Sequence, residues 1–287
     1  MLDRGGLRIA VPSKGRLHEA SLDLLRSAGL KFRVSGRRLF SVCSETDTRI
    51  IFSNVADIPV LVSEGVVDLG ITGSDQVAEK GAEVVTHQSL GFGRCRLSVA
   101  VHQDSPHRTP SSLAGRVVGS KFVNLARAYF EERSIEGVHV LPIQGAVEVM
   151  VLLGMVDAIV EIVETGNSLV ENDLVEIDTL LQAETVLIGR TADAPVEARD
   201  RLLRRIEGVL LASRYSLVEY NCPADRLEEA TRITPGFSSP TVQELRDPQW
   251  LAVKVLVEKD AVQPAMDELE RVGCTAILET ALRHTRL

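Results

Sequence analysis

Gly154-Met155-Val156-Asp157-Ala158-Ile159-Val160-Glu161-Ile162-Val163-Glu164-Thr165-Gly166-Asn167-Ser168-Leu169 holds a complete strand–turn–helix transition. From Asp157 an apolar strand carries two acids, and the Thr-Gly-Asn-Ser that follows is turn chemistry that opens a helix. The same grammar occurs earlier, where Gly65-Val66-Val67-Asp68 precedes another apolar strand. A second echo joins Arg8-Ile9-Ala10, leading to Ser13-Lys14 and a helix, with Arg116-Val117-Val118, leading to Ser120-Lys121 and a helix. Strand–turn–helix is common, so each echo alone is weak. Together they predict an α/β chain with two similar lobes and a ligand cleft between them.

The last third reads differently. Arg201 to Leu211 has helical periodicity, Tyr215 to Asn221 is a strand, and Cys222-Pro223 breaks it. A helix over Ala224 to Thr231 follows, then a strand over Leu251 to Val257, a helix over Ala261 to Val272 and a strand over Cys274 to Leu278. One more short strand near Phe237 to Val242 completes a small βαββαβ domain of ferredoxin or ACT-like type. A linker is expected near residue 212.

Composition bounds the function. Over 287 residues, 32 Lys and Arg against 40 Asp and Glu give a net charge of −8, which disfavours a nucleic-acid coat or an anionic membrane surface. Apolar residues at 45% and charged residues at 25% are ordinary for a folded globular chain. No run approaches the ~18 apolar residues of a membrane span. Met1-Leu2-Asp3-Arg4 shows no apolar signal core, so a cytoplasmic location is expected. Cys43, Cys95, Cys222 and Cys274 form no CxxC pair and read as free thiols in a reducing compartment. The six histidines show no metal spacing, and no metal ligands are assigned.

Three strand-to-helix turns carry chemistry. Thr165-Gly166-Asn167-Ser168 offers backbone N–H groups and hydroxyls to an anion, and the acids before it could hold ribose hydroxyls, so a phosphorylated sugar fits both. A plain helix cap with solvated acids fits the same residues. Ser13-Lys14-Gly15-Arg16 carries two cations suited to a diphosphate or triphosphate, and equally suited to a solvated turn. Gly70-Ile71-Thr72-Gly73-Ser74-Asp75 permits close backbone approach to a ligand, though a tight turn alone explains its small residues. No GxxxxGK[ST] loop occurs.

At these residues the chain resembles the ATP phosphoribosyltransferase family, in its long form, over nearly its whole length. Leu7 to Leu17 resembles the family's first strand and Lys-Gly-Arg-Leu turn. Asp57-Ile58-Pro59 through Asp75, Leu90-Gly91-Phe92-Gly93 with Arg96-Leu97, and Asn124-Leu125-Ala126-Arg127 with Tyr129-Phe130 resemble three further blocks. Glu148, Gly154, Asp157 and Thr165-Gly166 resemble the phosphoribosyl-diphosphate segment. Ile233-Thr234-Pro235-Gly236 with Ser239-Pro240-Thr241 resembles the long form's regulatory domain. The chain departs from the family's usual residues at Asn54 (Arg), Phe122-Val123 (Tyr-Pro), Val156 (a small residue), Glu161 (Asp) and Ser168 (Thr). Glu161 and Ser168 keep a carboxylate and a hydroxyl, whereas Asn54 removes a cation and Phe122 a phenol.

The resemblance implies two periplasmic-binding-protein-like lobes, 1–93 plus 182–211 and 94–181, with a regulatory domain over 212–287. It implies transfer of a phosphoribosyl group from phosphoribosyl diphosphate to N1 of ATP, with Mg²⁺ as cofactor, as the opening step of histidine biosynthesis. Asp157 and Glu161 are expected on the ribose hydroxyls, with Ala158 alongside, and Glu164, Thr165, Gly166, Asn167 and Ser168 around the 5-phosphate. Lys14, Gly15, Arg16, Thr72, Gly73, Asp75 and Gly93 are expected at the ATP site, with Lys14 and Arg16 on phosphate charge. Asn221, Phe237, Thr241 and Ala276 are expected to bind inhibitory histidine. A homo-oligomer, dimers assembling to a hexamer, is implied too. The alternative is a non-catalytic two-lobed ligand-binding or regulatory member of the family.

Overall fold

The computed structural model describes residues 6–34, 39–190 and 197–286. The run Met1 to Arg4, read above for a leader, lies outside them, as do residues 191–196 of the segment assigned to the first lobe and residue 287. The chain divides into two compact units, Met1–Asp23 with Lys31–Val196, and Leu24–Leu30 with Glu197–Leu287.

In chain order the first unit runs β1 (Arg8–Pro12), α1 (His18–Ser27, its end falling with the second unit), β2 (Phe40–Val42), β3 (Arg49–Ser53), α2 (Ile58–Ser63), β4 (Leu69–Gly73), α3 (Ser74–Lys80) and β5 (Val85–Ser89). It continues with β6 (Cys95–His102), β7 (Val117–Ser120), α4 (Val123–Glu132), β8 (His139–Pro142), α5 (Val147–Leu152), β9 (Ala158–Val163), α6 (Asn167–Glu171), β10 (Leu174–Ala183) and β11 (Thr185–Gly189). These strands build two sheets, in the orders β2-β3-β1-β4-β11-β5 and β10-β6-β9-β7-β8. In the first, β1 lies parallel between β3 and β4, and β11 runs antiparallel beside β4. In the second, β7 lies parallel between β8 and β9, and β6 runs antiparallel beside β9. The order β3-β1-β4-β11 thus recurs as β8-β7-β9-β6, and the two sequence echoes are the matching central strands of two lobes.

Burial follows from this layering. β4 and β11 are buried at every residue, as continuous apolar strands covered on both faces are. β9 alternates instead: Ala158 and Val160 pack with Phe122, Ala126 and Phe130 of the α4 region, while Ile159 and Val163 pack with Val147, Val151 and Leu169 of α5 and α6.

The chain crosses between the sheets twice, after β5 and after β10, and the crossings pair with each other. Leu90 N donates to Thr185 O at 2.9 Å, and Thr185 N to Phe92 O at 3.1 Å. The return comes at Glu184, later than the expected residue 182, because Gln182 and Ala183 still pair with Arg96 and Cys95 in the second sheet.

The second unit runs α7 (Glu197–Arg214), β12 (Tyr215–Pro223), α8 (Leu227–Ile233), β13 (Thr241–Glu244), β14 (Trp250–Glu258), α9 (Lys259–Arg271) and β15 (Thr275–Ala281). From β12 onward this is the expected βαββαβ order, folded as an antiparallel sheet β13-β14-β12-β15. Val218, Tyr220 and Cys222 share a core with Val253, Val255 and the α9 residues Val262 and Leu269. By its packing helix α7 groups with this unit, whereas the sequence reading assigned 182–211 to the first lobe. One close approach is at Gly208, where a Cβ would lie 2.2 Å from the carbonyl oxygen of Thr285. Among the described residues no helix is long and apolar enough to cross a membrane.

Candidate active site

Parallel strands β1 and β4 of one lobe and β7 and β9 of the other end in the connections that carry the candidate side chains. Ligands of open α/β sheets bind beyond such carboxyl ends. After β1 come Lys14, Gly15 and Arg16, all exposed. After β9 comes the turn Glu164 to Ser168, in which Gly166 has φ +86° and precedes α6. Thr165, Asn167 and Ser168 are exposed there. The positive φ is what Gly supplies without strain.

The two turns meet across the lobes. Arg16 Nη1 donates to Glu164 Oε1 at 2.5 Å and to Gly93 O at 3.2 Å, and Nη2 lies 3.2 Å from Cys95 Sγ. Burial works against the guanidinium charge, but the bonds to Cys95 and Glu164 outweigh it and hold Arg16 above its ordinary pKa. Burial in turn pushes the Cys95 thiol up. A cleft of about 330 Å³ opens beside this cluster, lined by Arg94, Cys95, Gln182, Ala183 and Glu184.

Beneath the turn, Arg96 donates Nη1 to the Glu164 carbonyl at 3.3 Å and Nε to Glu176 Oε2 at 2.7 Å, with Nη2 on the other Glu176 oxygen. Ser168 Oγ donates to Glu148 Oε1 at 3.3 Å. Glu161 is 8% exposed and accepts from Lys121 Nζ at 3.0 Å and from Ile162 N at 3.0 Å. Lys121 follows β7 as Lys14 follows β1. The Ser13-Lys14 and Ser120-Lys121 echo holds that signal, although the family resemblance assigns only Lys14 to the site. Arg96 and Glu176 were also missed as the floor of the turn.

Several assigned residues stand elsewhere. Asp157 precedes β9 and Ala158 opens it, at the opposite end from the turn. Six residues at ~3.3 Å each separate the two ends by about 20 Å. Asp157 Oδ2 accepts the backbone N–H of Val117 at 2.9 Å, and Ala158 is fully buried. Both stand at the far end of the strand from the turn. Thr72 is also fully buried and donates Oγ1 to Val55 O at 2.9 Å. Asp75, 2% exposed, accepts from Gln76 Nε2 at 2.8 Å. A Cβ on Gly73 would lie 2.0 Å from Asp75 Oδ1, so that glycine makes room for the acid. Gly93, with φ +65°, stands beside Arg16, where its carbonyl is used.

The family departures have local explanations. Asn54 Oδ1 accepts from Ala56 N at 3.2 Å and its carbonyl from Asp57 N at 3.0 Å, a side-chain turn that leads into α2. Phe122 and Val156 are buried core residues, 3% and 4% exposed.

In the second unit, Asn221 and Thr241 share the sheet face opposite the core. Thr241 pairs with Lys254 and Lys254 with Glu219, two residues from Asn221. Ala276 sits at the irregularity between Glu219 and Asn221, with φ +48°. Phe237 is not beside Asn221. Its ring packs edge-on to Tyr215, centroids 6.0 Å apart, at the other end of β12.

Two family models match the chain and meet within α7. Residues 54–208 match the family model described as ATP phosphoribosyltransferase, and residues 212–284 match the model of the HisG C-terminal domain. The chain is 42% identical over 281 residues to an ATP phosphoribosyltransferase of Rhodopirellula baltica, covering 98% of this chain and 94% of that one. It is 37% identical over 284 residues to one of Mycobacterium tuberculosis, covering 98% and 99%. In fold it is similar to the ATP phosphoribosyl transferase (HisG:HisZ) complex from Thermotoga maritima, with a TM-score of 0.64, 24% identity and coverage of 72% of this chain and 98% of that one. An amino acid ABC transporter's substrate binding protein gives a TM-score of 0.50 at 14% identity, covering 73% and 95%.

Proposed function

The chain belongs to the ATP phosphoribosyltransferase family, and from that premise we propose that it transfers the phosphoribosyl group of phosphoribosyl diphosphate to N1 of ATP, releasing diphosphate, as the first step of histidine biosynthesis. One observation carries the site assignment: Arg16 of one lobe and the Gly166 turn of the other meet through Glu164. Similarity over the full chain disfavours the non-catalytic alternative.

The turn Thr165 to Ser168 takes the 5-phosphate on its N–H groups and hydroxyls. Glu161, held by Lys121, takes the ribose hydroxyls alone, since Asp157 lies at the far end of the strand. Lys14 and Arg16 face phosphate charge, and Arg16 exchanges the Glu164 carboxylate for phosphate oxygens when substrate enters. Gly15 and Gly93 allow close approach on the ATP side, while Thr72, Gly73 and Asp75 support that wall from within. The adenine N1 lone pair forms the new bond to ribose C1 as the C1–O bond to diphosphate breaks. The ring-nitrogen nucleophile is weak, so alignment and charge stabilisation account for most of the acceleration. Among the described residues no group of three or more acidic, His or Cys side chains is placed to hold a metal. Mg²⁺ would be held by the substrate phosphates and would supply charge neutralisation of the leaving diphosphate.

The second unit binds histidine as a feedback inhibitor through Asn221, Thr241 and Ala276, and subunits pair into a homo-oligomer of dimers building a hexamer. Four free cysteines suit a reducing cytoplasm.

Incubation with ATP, phosphoribosyl diphosphate and Mg²⁺ should yield the phosphoribosyl-ATP adduct and diphosphate. Gly166→Val should raise the KM for phosphoribosyl diphosphate at least about tenfold, since a β-branched residue at φ +86° is strained and crowds the anion. An unchanged KM in a folded variant would place the phosphate elsewhere.

A further inference from the structure

Helix α4 begins without a cap of its own. Phe122 stands at its N-cap position and offers no side-chain hydrogen bond. The first N–H groups of a helix need acceptors, and Ser, Thr, Asp or Asn usually supply one from within the chain's own turn. Here the acceptor comes from the other lobe. Glu79, on α3 and 8% exposed, takes Asn124 N on Oε1 at 3.1 Å and Leu125 N on Oε2 at 3.0 Å. Asn124 Nδ2 answers with a bond to the Glu79 carbonyl at 2.9 Å. Both carboxylate oxygens are engaged, and a negative charge at a helix N-terminus is stabilising in its own right.

The other end of α3 is tied to the crossing strands. Ser74 N donates to Glu184 O at 2.9 Å and Glu184 N to Ser74 Oγ at 3.2 Å. So α3 is a strut, fixed to the hinge at one end and to the second lobe at the other. The helix it caps starts two residues after Lys121, which holds Glu161. We propose that Glu79 is a positioning residue for the transfer: its carboxylate sets where α4, Lys121 and Glu161 of the second lobe stand relative to Lys14 and Arg16 of the first. This rests on the reaction proposed above, in which one substrate is held mainly by each lobe. Displacement at C1 needs the reacting atoms about 3–3.5 Å apart, and misplacement by ~1 Å can cost on the order of a hundredfold in rate.

Glu79→Gln is nearly isosteric, but its amide nitrogen would face one of the two N–H donors. In the full-length protein, kcat should fall roughly tenfold or more while the Kd for phosphoribosyl diphosphate alone, measured calorimetrically, changes less than about twofold. That split marks positioning, because a residue that merely held α4 together would weaken phosphoribosyl-diphosphate binding and rate alike. Unchanged kcat, or parallel losses in both, would overturn the role. Should Glu79→Gln fail to fold, Asn124→Ala decides, since it removes only the return bond. A kcat loss of about threefold with unchanged Kd supports the proposal, and an unchanged kcat overturns it. Gly166→Val serves as the control. If it too leaves phosphoribosyl-diphosphate binding intact, the site assignment has failed rather than the Glu79 role.

Discussion

Asp68 and Asp157 do the same work at matching places in the two lobes. Each precedes a parallel strand and accepts the N–H that opens its neighbour, Arg8 N at 2.7 Å for Asp68 and Val117 N at 2.9 Å for Asp157. Asp68 adds an ion pair to the Arg8 guanidinium at 2.8 Å. A hydrogen bond to a charged acceptor contributes about 1.5–3 kcal/mol, so Asp157→Ala should lower stability by about that amount in urea titrations. Asp157→Asn keeps an acceptor oxygen, and its kcat should stay within about twofold of the parent. A tenfold loss in the folded Asn variant would return Asp157 to the ribose. The misplacement in the sequence reading has a physical origin. Asp157 and Glu161 are four residues apart and look like one acidic pair before the turn. In a strand those four steps span about 13 Å. Glu161 was legible as an acid carried by an apolar strand just before the turn, whereas its partner Lys121 and the pairing of Asp157 with Val117 depend on which strands become neighbours.

At the scale of elements, the lobes and the βαββαβ order were legible from apolar runs and turn residues, because strand and helix periods are local. Strand β10 was not. Glu176 and Asp178 interrupt its apolar pattern, and their partners lie far off in sequence: Arg96 on β6 for Glu176, and Tyr129 and Arg133 of the α4 region for Asp178. These partners give the strand a pH signature. The Arg96 hydrogen bond holds Glu176 below the usual carboxylate range despite some burial, and the Tyr129 hydroxyl does the same for Asp178, helped by Arg133. A depressed folded pKa contributes stability that is fully present above the unfolded value, near 4 for both acids, and is lost as pH falls through the folded value. Urea midpoints followed by circular dichroism should therefore be insensitive to these groups above about pH 5 and decline below about pH 4. Glu176→Gln should flatten that decline while lowering the midpoint at pH 7. A variant with the parent's acid slope would exclude the Arg96–Glu176 pair as its source.

For the whole molecule, the question is whether the second unit reports to the chemistry of the first. Its sheet buries one face under α9, while the other carries Leu217, Glu219, Asn221, Lys254 and Leu256, half-buried or exposed. Next to Asn221, Ala276 holds φ +48°, a conformation that costs a non-Gly residue on the order of 1 kcal/mol or more and that cores and ligands stabilise where it persists. An amino acid bonded to Asn221 would act on that irregular segment of β15 directly. Allosteric inhibition then obeys reciprocity: if bound histidine weakens phosphoribosyl-diphosphate affinity by some factor, phosphoribosyl diphosphate must weaken histidine affinity by the same factor. Calorimetric titrations in both orders should return equal factors, of roughly 5-fold to 150-fold for an ordinary coupling. Asn221→Leu should remove histidine binding and inhibition while leaving uninhibited kcat within about twofold, because the residue lies outside the unit that carries the turn. Phe237→Ala should leave histidine affinity nearly unchanged if the site is built within one copy, since its ring packs on Tyr215 rather than near Asn221. A strong loss with Phe237→Ala would mean that a second copy of the chain supplies that ring, and sedimentation with and without histidine would then show assembly linked to inhibitor. No heat of histidine binding to the intact chain would leave the second unit with a structural role only.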